Sequence, residues 1–115
     1  MAIQQIRLIH TAFEKEPNHI ATYLPLNNKN VYENLEDLYS RTQNIEESWV
    51  KDRRNFSVIP VTNQRSTSVG DIMVVCYDNP KGNGFKEVWY KVADVGFEKW
   101  FFKSHVANDH LRKKV

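Results

Sequence analysis

One cysteine, Cys76, stands among 115 residues. An intramolecular disulfide is therefore excluded, and the chain suits a reducing compartment. Cys76 sits inside an apolar run, which reads as a buried inert thiol rather than a nucleophile. No apolar stretch approaches the roughly 18 residues that a membrane helix needs. Met1–Arg7 lacks the apolar core of a signal peptide. A cytoplasmic protein without membrane attachment is the expectation. Charge of one sign is scarce as well. A net charge of +2 neither demands a polyanion as partner nor excludes one. No internal repeat or low-complexity segment stands out.

Catalytic and metal motifs are missing in the same way. There is no Gly-x-Ser-x-Gly turn, no Walker lysine, and no polar setting for the one thiol. His10 and His19 are isolated. His105 and His110 are five apart and share no helix face, so no metal or cofactor site is expected. Glu46-Glu47 near Arg53-Arg54 can be written as an acid–base pair, but the same residues read equally as solvated charges. The expectation is a protein that is not an enzyme.

What is present is ordinary for a globular domain: 41% hydrophobic residues, 26% charged, and three Trp. A chain of this length makes one domain with a core of its own. Residues 31–43 give the clearest helix. Asn30 is a suitable N-cap, and Glu33 completes a capping box. Val31, Leu35, Leu38, Tyr39 and Thr42 recur on one face. Residues 2–9 alternate as a strand, with Ile6, Leu8 and His10 on one side and Arg7 and Ile9 on the other. Extended pieces are expected near 20–24 and 56–61, the second marked as edge or loop by Pro60.

Arg65-Ser66-Thr67-Ser68-Val69-Gly70-Asp71 then runs without a break into Ile72–Tyr77, an apolar β-branched strand with both faces covered. The turn-rich segment 78–84 leads to a return strand at 85–92. In that strand Val88, Tyr90 and Val92 face one way and Trp89 the other. Phe97, Trp100 and Phe101 fit either a helical stripe or a further strand that closes the other side of the domain. The tail from Asn108 is basic. The fold class predicted is α+β: a small antiparallel sheet with a β-hairpin at about 71–92 and one packed helix at about 31–43. A partly open small barrel that reads RNA is the alternative.

Helix 31–43, the Ser-x-Ser-Val-Gly-Asp step at 66–71, Trp89-Tyr90-Lys91-Val92 and the Val95-Gly96-Phe97-Glu98 step together resemble the YodL-like group of small proteins of phages, plasmids and bacterial mobile elements. The resemblance spans about residues 31–100. It implies a phage-type accessory role and carries no catalytic residues. The first functional expectation is thus a non-enzymatic accessory protein that binds a host bacterial protein, in anti-defence or host takeover. Its contacting surfaces would be Glu36 and Asp37 on the helix and the 63–71 loop, through Arg65, Ser66, Thr67, Ser68 and Asp71. A second reading is a nucleic-acid module built on Arg65, Lys86, Trp89, Lys91 and the basic tail. A third is capture of a small nucleotide by the Ser-rich loop, whose plainer role is to shape a turn.

Overall fold

The computed structural model describes residues 2–26, 28–60, 62–78 and 85–100. Six strands form one antiparallel sheet: β1 (Ile3–His10), β2 (Asn18–Tyr23), β3 (Phe56–Val58), β4 (Ile72–Asp78), β5 (Phe85–Val92) and β6 (Phe97–Trp100). They lie in the order β3-β2-β1-β4-β5-β6. Helix α1 (Val31–Arg41) and a short 3-10 turn (Trp49–Lys51) complete an α+β domain. β3 and β6 stand at opposite ends of the order, so the described strands make an open sheet rather than a closed barrel.

The local chemistry explains each element. The Asn30 side chain accepts the Glu33 amide at 2.9 Å, and the Glu33 carboxylate accepts the Asn30 amide at 3.0 Å. This reciprocal box satisfies two of the donors that every helix leaves open at its start. Leu35 and Leu38 are fully buried beneath the helix, and Val31 and Tyr39 pack at its margins. The helix ends at Arg41 with Thr42 as cap, slightly short of the expected 43. Asn34, a buried polar residue that the apolar pattern does not mark, accepts the Leu26 amide and donates to the Lys29 and Asn30 carbonyls. It ties the chain entering the helix to the first turn.

β4 pairs with β1 on one side and β5 on the other, so all its polar backbone groups have partners inside the sheet. Its alternate residues serve two cores. Met73 and Val75 join Ile6, Leu8, Tyr90 and Val92 under α1. Ile72, Val74 and Cys76 join Ile9 and Trp89 on the far side. The expected double coverage of this strand is therefore observed, and Cys76 is buried as anticipated.

Two strand expectations need correction. β2 begins at Asn18 rather than 20, because its polar first residues pair with Ile9 and His10 of β1. A register shift beside Ile9 leaves Ile20 unpaired, and Ile20 and Ala21 both reach the helix-side core. β3 is only three residues long, Phe56–Val58. Residues 97–100 are a strand, which resolves one of the two readings left open. The rest of that segment, the hairpin turn at 79–84, and His105, His110 and the basic tail lie outside the described residues.

Candidate functional site

The Ser-rich loop is organised around one ion pair. Arg65 places two nitrogens on the Asp71 carboxylate at 2.8 Å each. It places two bonds on Glu14, at 3.0 and 2.8 Å, and one on the Ser66 carbonyl at 2.9 Å. All five guanidinium N–H groups are thereby used. Asp71 is fully buried and also accepts the amides of Thr11, Ala12 and Ser68. Burial alone would raise its carboxyl. The Arg65 guanidinium and the three amides outweigh that and hold it below the ordinary carboxylate value. Glu14 is held down chiefly by the same guanidinium.

Ser66 and Thr67 are also bonded within the chain. Ser66 Oγ accepts the Asn44 amide at 2.8 Å. The Thr67 amide donates to the Thr42 carbonyl at 2.9 Å. Gly70 adopts a φ of +100°, and a Cβ there would lie 3.3 Å from Ala12 Cβ, so glycine alone suits this turn. Arg65, Ser66, Thr67, Ser68 and Asp71 thus come together as expected, but as the internal frame of a turn. The Arg65 guanidinium and the Thr67, Ser68 and Gly70 amides, donors that a phosphate would need, are engaged within the chain.

A buried polar chain lies behind this frame. His10 Nε2 is 3.2 Å from Thr67 Oγ1, which is 2.7 Å from the Thr42 hydroxyl, which is 2.9 Å from the Leu38 carbonyl. His10 Nδ1 is buried without a protein partner. Burial is the largest influence on His10 and lowers its pKa; Arg65 lowers it further, against the opposing pull of Asp71 and Glu14. His19 is lowered too, mainly by burial.

The buried His10 imidazole therefore stays neutral in the folded chain at pH values where the unfolded chain takes up protons. Its stabilising contribution is complete above the ordinary value of 6.5 and is lost as pH falls from there toward the folded value. The slope per excluded proton is at most about 1.4 kcal/mol per pH unit. Urea midpoints measured between about pH 8 and about pH 5 should fall on the acid side, and His10→Gln should flatten the fall. An unchanged slope in that variant would remove His10 from the account.

The basic and aromatic candidates are not brought to one face. Along β5 the side chains alternate, so Lys86 shares the helix side with Val88, Tyr90 and Val92, while Trp89 and Lys91 lie on the other. Trp89 is 3% exposed, stands edge-on to Trp100 at 6.2 Å, and donates its indole N–H to Glu87. Its ring is part of a core and not a stacking platform. Arg65 is occupied as described above. Of the two acidic candidates, Asp37 accepts the Tyr23 hydroxyl and lies 3.7 Å from the Lys29 ammonium. Burial first, and then the bond to Asp37, push the Tyr23 phenol up to about 12. Arg54, of the pair once considered for acid–base work, is committed to Asp52.

Glu36 differs from all of these. It is exposed and borders a cleft of about 250 Å³ between α1, the loop at Val69 and the β5–β6 turn. Tyr39, Ser40, Val92, Ala93, Asp94, Gly96 and Phe97 complete the lining, with Tyr39 and Phe97 edge-to-face at 6.4 Å. Val69 is 49% exposed at its rim, and Val95, beside Asp94 at the turn tip, is 93% exposed. The lining carries two carboxylates and no cation. Val69 and Phe97 are marked in the sequence only as parts of local steps and Asp94 not at all; none is marked as belonging to a shared site, which α1, the Val69 loop and the 92–97 segment build together.

No family model, curated protein or solved structure matches the chain. Among the described residues no group of three or more His, Cys, Asp and Glu is placed to hold a metal ion. No described helix is long and apolar enough to cross a membrane.

Proposed function

We propose that the chain is a small non-enzymatic accessory protein that acts by binding another protein, of the phage or mobile-element type that its YodL-like resemblance implies, with a host bacterial protein as partner. One observation carries the reading. The cleft beside Glu36 and Tyr39 is bordered by half-exposed Val69, and exposed Val95 follows its Asp94 at the turn tip, apolar side chains that the described fold leaves open. Its volume of about 250 Å³ is enough for one anchor side chain of a partner protein.

The test is a tagged pull-down from bacterial lysate, with and without nuclease, using the natural chain and a Val69→Ser/Val95→Ser variant. Both positions are at the surface, so the variant should fold. A discrete protein that survives nuclease and is reduced about tenfold by the variant is the expected result. Recovery of nucleic acid alone, or a protein captured equally by both chains, would overturn it.

A further inference from the structure

The proposed binding role leaves open what the partner presents, and the chemistry of the cleft narrows this. We propose that the cleft takes an arginine side chain flanked by apolar residues on the partner; this rests on the protein-binding reading above. Three features converge. The lining includes two aromatic rings, Tyr39 and Phe97, which stand edge-to-face at 6.4 Å. A planar guanidinium stacks on such surfaces, whereas a compact ammonium stays more strongly hydrated. The only charges in the lining are the carboxylates of Glu36 and Asp94, contributed by α1 and by the β5–β6 turn. Two acceptors from separate elements suit the several donors of a guanidinium. Val69 and Val95 then offer apolar contact to the residues on either side of the arginine.

The rest of the molecule sharpens the assignment. The other carboxylates of this region, Asp71 and Glu14, are neutralised by Arg65. Asp37 is engaged by Tyr23 and Lys29. Glu36 and Asp94 are both exposed, and neither has a salt bridge to a cation among the described residues. Electrostatic complementarity of this kind sets specificity and speeds encounter more than it raises affinity. The arginine contact is therefore a selector within a larger interface.

The experiment is an NMR titration of the full chain with blocked tripeptides: acetyl-Leu-Arg-Leu-amide, and counterparts with norleucine or glutamate at the centre. The arginine peptide should shift the amides of Tyr39, Val69, Ala93 and Gly96 in a saturable way. The norleucine and glutamate peptides should bind at least about tenfold more weakly. Glu36→Gln/Asp94→Asn should abolish the preference while leaving the remaining spectrum unchanged. Equal binding of the arginine and norleucine peptides, shifts elsewhere on the surface, or no shifts at all would overturn the arginine assignment. A nuclease-resistant partner still captured in the pull-down would, in that event, keep the protein-binding role and remove only its chemistry. Loss of both would remove the two together.

Discussion

Asp71→Asn is expected to cost about 3–5 kcal/mol, the range for breaking a buried charged pair from one side. The substitution preserves shape and changes only donor and acceptor roles. Oδ1 receives the amides of Thr11 and Ala12 and one nitrogen of Arg65, and an asparagine oxygen could still accept them. Oδ2 receives the Ser68 amide at 2.8 Å and the second Arg65 nitrogen at 2.8 Å. An NH2 group there faces two donors with no proton acceptor between them. The opposite rotamer moves the same conflict to Thr11 and Ala12, so neither orientation relieves it.

Arg65→Met should cost less. The arginine side chain is 26% exposed, so its loss admits water, and Asp71 keeps its three amide donors. Urea denaturation compares the variants directly, and a domain with a total stability of about 5–15 kcal/mol will register the difference as a large shift of midpoint. A cost for Asp71→Asn below about 1 kcal/mol would show that the carboxylate does not organise the loop.

This ion pair also shows where sequence reasoning reaches its end. Helix α1 was legible because its information is local: Asn30 and Glu33 are three residues apart, and Leu35 and Leu38 follow the helical period. β4 was legible because an uninterrupted apolar run has few other uses in so small a domain. The antiparallel sheet class followed from those two elements and the return strand. The Ser66–Asp71 step was legible as a turn, yet its purpose was not. Glu14, the second carboxylate on Arg65, lies 51 residues away. A polar loop and a distant polar residue carry no periodic signal that joins them.

The alternation of β5 was read correctly for Val88, Tyr90, Val92 and Trp89. Placing Lys86 with Trp89 overlooked the same period, since residues three apart in a strand face opposite ways. The cleft was the least legible feature. Of the acidic and loop candidates chosen from sequence, only Glu36 borders it. Its apolar rim consists of exposed valines that sequence statistics assign to no particular place.

Trp49→Ala is expected to cost about 3–5 kcal/mol, the usual loss for truncating a buried large aromatic. The residue lies in a charged stretch without a clear period. In the fold it is 3% exposed and packs against Phe56 at 6.1 Å. Its indole donates to the Arg65 carbonyl at 2.9 Å, and its own amide donates to Asn44 at 2.8 Å. It therefore fixes the backbone of the same arginine whose side chain Asp71 holds.

Trp49→Phe separates the two contributions. It keeps most of the apolar contact and removes the bond to Arg65, for about 1 kcal/mol beyond any packing change. Because Trp49 and Asp71 meet through Arg65, the two substitutions should not be additive. A double-mutant cycle of Trp49→Phe with Asp71→Asn should give a coupling of about 0.5–3 kcal/mol, read from the same urea curves. Strict additivity would mean that the loop is held at two independent points. Coupling would mean that the crossover from β3 to β4 is one cooperative unit, which positions Val69 at the edge of the cleft.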